Sequence, residues 1–195
     1  MRLWLVRHAR TGLASDVCCG RTDAPADPEA TAQAAQRLHA VLPPAFVWWV
    51  SPLIRARQLA QALHALRPAL PAPLADARLA EFDFGAWEGR RWDDVPRAEL
   101  DAWAGDFARA RPGGGESVAA LLARVRQALH RAMATRASDG VWITHAGVIR
   151  AARYTLCAGE QALPCSAQEW PVDAPACGEW TCVTLPEGTH SPARP

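Results

Sequence analysis

The chain contains no lysine; all 21 of its basic residues are arginine. That absence excludes a P-loop lysine, a Schiff-base lysine and a lysine general base together. Cysteine occurs six times, at Cys18, Cys19, Cys157, Cys165, Cys177 and Cys182, but never as a C-x-x-C pair. Zinc ribbons rest on such spacings and disulfide scaffolds on shorter, cysteine-dense chains, so neither is expected, whereas reduced thiols in a cytoplasmic protein are. Long apolar runs are missing as well. The first run stops at Arg7, too early for a secretory leader, and no later one approaches the roughly 20 residues of a membrane span. Nor is there an excess of one charge. The formal net charge is +1, with no basic stripe, which argues against nucleic-acid and membrane partners.

What is present suits one soluble domain. The 195 residues are half apolar, enough for a substantial core, with residues 186–195 expected as a loose tail. Met1 to Val6 reads as a short buried strand, and residues 28–42 as an alanine-rich helix stopped by Pro43-Pro44. Residues 45–50 read as a second strand. Ser51-Pro52 then opens a helix over 53–66, with Ser51 as the expected N-cap. A weak strand is expected near 74–79, a loop over 81–91, a short helix over 93–104 and a hinge-like loop at Pro112-Gly113-Gly114-Gly115. Residues 116–137 form the longest predicted helix, with Val118, Leu121, Leu122, Val125 and Leu129 on one face. A strand over 140–144, a helix over 146–156 and an edge strand near 179–185 complete the pattern. Strands alternating with helices predict an α/β fold, with a mostly parallel sheet covered by helices on both faces.

In such sheets ligands bind at the carboxyl ends of the strands. The residues expected there are Arg7 and His8, Ser51 just ahead of Arg55, and Thr144 with His145. Two guanidinium groups and two imidazoles make a pocket for a phosphate monoester, a dianion near neutral pH. A neutral His8 can attack phosphorus while the arginines hold the oxygens. Glu81, set among Phe82, Phe84 and Trp87, is the candidate acid that protonates the leaving alkoxide. The scheme calls for no metal and no cofactor. Taken singly, each residue has an ordinary structural reading; their joint placement at one sheet edge carries the argument.

The motifs Arg7-His8 with Thr11, Ser51-Pro52-Leu53 with Arg55-Ala56, Glu81 through Phe84-Gly85, Trp87-Glu88-Gly89, and His145-Ala146-Gly147 with Arg150 occur in this order. Together they resemble the histidine phosphatase superfamily, also called phosphoglycerate mutase-like, over residues 1 to about 156. The resemblance implies a three-layer α/β/α fold and a phosphohistidine formed on His8. It also implies phosphate binding by Arg7, Arg55 and His145, and acid catalysis by Glu81. Thr11 and Ala146 join the phosphate-binding candidates, while Arg21, Glu116 and Ser117 are candidates on the substrate side. Cys19-Gly20-Arg21-Thr22-Asp23, the run from Glu81 to Trp103 and residues 111–118 are most similar to bacterial α-ribazole phosphatases. That similarity implies hydrolysis of α-ribazole 5′-phosphate in cobalamin biosynthesis. Two positions depart from the usual pattern. Ala9 stands where the family usually has glycine, and Arg10, expected to add positive charge at the pocket mouth, where it usually has Glu or Gln. A sugar-phosphate phosphatase, a mutase and a phosphate-binding module without turnover stay open as alternatives, as does a monomer against a homodimer.

Overall fold

A central strand of six buried residues, Asp139–Thr144 (β4), anchors the computed structural model, which describes residues 1–186. Of the expected tail, residues 186–195, all but Pro186 lies outside the described residues. The other strands are β1 (Arg2–Arg7), β2 (Val47–Val50), β3 (Leu74–Ala75) and β5 (Trp180–Thr184). Among the described residues they form one sheet in the order β3-β2-β4-β1-β5. The β1–β4, β2–β4 and β2–β3 pairs are parallel, and β5 runs antiparallel to β1 at the edge. A strand covered on both faces must be apolar throughout, which accounts for the run Val141-Trp142-Ile143 in β4.

Alternation along each strand sends side chains to opposite faces. Trp48, Val50, Val141 and Ile143 pack with Ala34, Ala35 and Leu38 of α1 (Pro28–Val41) and Leu59 and Leu63 of α2 (Ile54–Leu66). Leu3, Leu5, Trp49 and Trp142 pack on the other face. Their partners are Leu121, Leu122, Val125 and Leu129 of α4 (Val118–Ala134) and Val148 and Ile149 of α5 (Ala146–Ala158). The result is the expected three-layer arrangement. The four α4 residues alone bury enough apolar surface to contribute roughly 6–12 kcal/mol gross, before the entropy of ordering them.

Several local expectations change. Ser51 does not cap α2, because it lies two residues ahead of the cap position, Leu53; its hydroxyl accepts the Leu53 N–H at 3.3 Å and meets His145 Nε2, and the loop residue Asp23 accepts the Ile54 N–H at 2.6 Å. The strand near 74–79 shrinks to two residues. Asp76 accepts the Arg78 N–H and starts a 3₁₀ turn over Ala77–Leu79. Residues 81–91 include a 3₁₀ turn at Gly85–Trp87. The 93–104 helix splits into a turn at Trp92–Asp94 and α3 (Arg97–Gly105), divided by Pro96, which lacks the N–H a continuous helix needs. The 112–115 segment is no hinge. A Cβ on Gly113 would lie 2.2 Å from the Phe84 carbonyl oxygen, so this backbone is clamped against residues 83–87.

Candidate active site

Because β1, β2 and β4 are parallel and β4 lies between the other two, their carboxyl ends share one edge. The backbone extends each ladder by one bond: His8 N–H donates to Thr144 O and Ser51 N–H to Ile143 O, both at 3.0 Å. These bonds set His8, Ser51 and His145 side by side, and the two imidazole centroids are 5.0 Å apart.

The tautomer of His8 follows from its partners. Nδ1 lies 2.6 Å from the Ala9 carbonyl, which only accepts, so Nδ1 carries the proton. Nε2 lies 3.2 Å from Nε of Arg55, which only donates, so Nε2 carries the lone pair. Burial first, then the positive charges of Arg55 and Arg7, push the His8 pKa down to about 3. The ring is therefore neutral near physiological pH. His145 is fully buried, shares a 2.7 Å hydrogen bond with Ser51 Oγ through Nε2, and is pushed well below the usual histidine pKa, chiefly by burial. Its Nδ1 and the Nε of Arg7 are buried and have no hydrogen-bond partner among the described residues.

Arg55, at the second position of α2, is 1 % exposed. Its terminal nitrogens donate to Gly20 O and Thr22 O, each at 2.7 Å. With Nε on His8, three of its five N–H groups are engaged and two remain for an anion. The 20–22 loop is itself held by Glu88. One Glu88 oxygen accepts Arg21 N–H at 2.8 Å, and the other accepts Thr22 N–H at 2.6 Å. Gly20 is needed here, because a Cβ would sit 2.3 Å from the Phe82 carbonyl oxygen. Arg7 donates one N–H to Pro175 O at 3.1 Å.

Glu81 is buried and held at both carboxyl oxygens. Oε1 accepts its neighbour's N–H, from Phe82, at 2.9 Å, and Oε2 accepts Gly147 N–H, in the first turn of α5, at 3.2 Å. The Glu81 backbone is fixed by Arg124, which donates to the carbonyls of Arg78, Ala80 and Glu81 and clasps Glu116 at 2.7 and 2.8 Å. Thr144 Oγ1 donates to Leu79 O at 2.8 Å and ties the same segment to β4.

The structure thus brings together His8, Arg55, His145 and, at the start of α5, Ala146, with the Glu81 carboxyl bound to the first turn of that helix. It does not bring in all the expected residues. Thr11 Oγ1 accepts Leu13 N–H in a local turn. Arg21 lies between Asp83, at 3.8 Å, and Glu116, at 3.9 Å. Ser117 caps α4 by accepting Ala120 N–H. Arg10 faces Asp27 at 3.5 Å, which offsets its charge at the pocket mouth. Ala9 is buried with no positive φ, so this backbone does not call for glycine. Sequence reasoning missed Arg124 and the clasping role of Glu88; both act across long sequence separations that no local pattern marks. The six cysteines are all free, and burial pushes the Cys18 thiol up to about 12, which removes it as a nucleophile. No helix among the described residues is long and apolar enough to cross a membrane.

The chain is similar to known proteins along most of its length. The sequence profile of the histidine phosphatase superfamily (branch 1) matches residues 3–170. The adenosylcobalamin/alpha-ribazole phosphatase of Escherichia coli (strain K12) is 30 % identical over 160 residues, covering 76 % of this chain and 75 % of that protein. The crystal structure of a phosphoglycerate mutase from Thermus thermophilus is similar at a TM-score of 0.70 and 30 % identity, covering 96 % of this chain and 95 % of that one. A mycobacterial glucosyl-3-phosphoglycerate phosphatase is similar at a TM-score of 0.76 and 27 % identity, covering 93 % and 88 %. With a neutral histidine at the end of β1, a buried arginine bonded to it and a carboxyl held at the start of α5, the chain belongs to the histidine phosphatase superfamily, branch 1.

Proposed function

We propose that the protein is a phosphomonoesterase that works through a phosphohistidine on His8 and hydrolyses α-ribazole 5′-phosphate. The observation that carries the mechanism is the state of His8: buried, neutral, with its lone pair on Nε2 and Arg55 3.2 Å from that nitrogen. The two unengaged N–H groups of Arg55, together with Arg7 and His145, hold the phosphate oxygens. The Arg55 Nε–H then passes from Nε2 to a phosphate oxygen, which frees the Nε2 lone pair as phosphorus is presented to it. The lone pair forms the P–N bond as the ester P–O bond breaks, and Glu81 passes its proton to the departing alkoxide. Each Glu81 oxygen accepts one N–H and keeps a second lone pair able to carry that proton. In the second half, water attacks phosphorus, its proton returns to Glu81, and the P–N electron pair returns to His8. Inorganic phosphate leaves. The substrate reading is supported by the 30 % identity to the adenosylcobalamin/alpha-ribazole phosphatase of Escherichia coli.

The test is phosphate release from α-ribazole 5′-phosphate, 3-phosphoglycerate and an aryl phosphate, with His8→Ala in parallel. Preference for the first substrate, lost in the variant, is the expected result. Activity on the aryl phosphate alone keeps the phosphohistidine and removes the cobalamin assignment. Formation of 2-phosphoglycerate from 3-phosphoglycerate, without phosphate release, makes the protein a mutase, as the similarity to the Thermus enzyme allows. Phosphate binding without turnover makes it a binding module.

A further inference from the structure

Glu81 and Gly147 also line a second space, a cavity of about 370 Å³. Its walls are made largely of rings, from Phe82, Phe84, Trp92, Trp103, Phe107 and Trp170. The rings brace one another in a continuous chain. Trp92 meets Phe84 edge-on at 5.3 Å, Phe84 meets Phe82 at 4.7 Å, Trp103 meets Phe107 at 5.4 Å and Phe107 meets Trp170 at 6.0 Å. Such contacts fix ring orientation, so the walls are preformed. Charged side chains enter in two places. One is Glu81; the other is Arg150, whose guanidinium is already donating to Val172 O.

The place of this cavity follows from the chemistry. The acid must reach the oxygen that departs from phosphorus, so the alcohol part of the ester leaves on the Glu81 side. The space that begins at Glu81 is this one. A small hydrated sugar or glycerate would shed water there and find few polar partners. A flat ring would gain ring-to-ring contacts and apolar burial, and the volume lies in the ordinary range of small-molecule sites.

We propose that this cavity is the leaving-group subsite, and that it selects phosphate monoesters whose alcohol carries a flat aromatic ring, with Trp103 and Trp170 as specificity-determining walls. This rests on the reading of Glu81 as the proton donor.

The experiment compares kcat/KM for two probes with equivalent leaving oxygens, 3-phenylpropyl phosphate and propyl phosphate. The expected ratio in the wild-type protein is about a hundredfold in favour of the ring, the product of two or three ring contacts of two- to tenfold each. Trp103→Leu and Trp170→Leu are each expected to lower that ratio about tenfold. Should Trp103→Leu not fold, Trp170→Leu, half-buried at the end of the ring chain, carries the test alone. Hydrolysis of both probes at equal kcat/KM overturns the subsite and leaves the phosphohistidine chemistry standing. A wild-type ratio that neither variant changes also overturns it. Hydrolysis of neither probe, with no phosphate released from any monoester, overturns the subsite together with the phosphatase reading.

Discussion

Acidification from about pH 7 to about pH 5 is expected to destabilise the folded protein through His8 by about 2 kcal/mol. The folded His8 has its pKa pushed down to about 3 from an ordinary 6.5, first by burial and then by Arg55 and Arg7. Between those two values the unfolded chain binds a proton that the folded chain refuses. Stability contributed by this site is therefore full above the unfolded value and falls as pH drops from 6.5 toward 3, levelling off below. The slope is about 1.4 kcal/mol per pH unit, and about pH 5 lies roughly one and a half units into the window. His145 is shifted in the same direction by burial and adds to the loss. Asp76, whose pKa is lowered from 3.8, loses its contribution only below that value, outside the interval. The assay is urea unfolding of the wild type and of His8→Gln at both pH values. The wild type should lose about 2 kcal/mol more than the variant, since His145 titrates in both. Equal losses, or a wild type that gains stability at about pH 5, would refute the assignment of His8 as a buried neutral ring.

Three further outcomes follow from the same geometry. Glu81→Gln removes the proton but keeps the side-chain shape, so turnover of an alkyl phosphate should fall by about 10²–10⁴, and that of an aryl phosphate, whose leaving group needs little protonation, by much less; equal losses on both would refute the acid role. Gly147→Ala should change the melting temperature little, since alanine's helix preference of about 1 kcal/mol over glycine offsets the loss of the hydrogen bonds that hold the Glu81 carboxyl. Its Cβ would lie 2.4 Å from Glu81 Oε1, so the carboxyl swings away and kcat should drop at least about tenfold in steady-state assays. Gly113→Ala should lower the unfolding free energy by about 2 kcal/mol or more, read by urea titration, because it combines a left-handed φ of 57° with a Cβ 2.2 Å from a backbone oxygen. Stability unchanged in that variant would restore the hinge reading of residues 112–115.

The sequence by itself determined the layers and the polar residues offered at the sheet's carboxyl edge. Continuous apolar runs mark β1, β2 and β4, because a strand buried between two helical layers has no polar face, and period-3.6 patterns mark α1, α2, α4 and α5. Polar residues directly after apolar strands mark His8, Ser51 and His145, because a parallel sheet exposes its carboxyl edge. Only the tertiary structure decided how these pieces meet. The order β3-β2-β4-β1-β5 sets His145 between Ser51 and His8, and no local pattern states which strand is central. Ser51 looked like a helix cap until Asp23, 31 residues away, took the Ile54 N–H. Glu88 reaches back 66 residues to Thr22, and Arg124 reaches 43 residues to the Glu81 carbonyl. Phe82, Trp103 and Trp170 are far apart in sequence, and only the fold closes their rings around a space that Glu81 also lines. Local patterns report the conformational preferences of neighbours in sequence. A site is made of contacts between distant segments, and the energy that chooses those contacts is released only when the whole core closes.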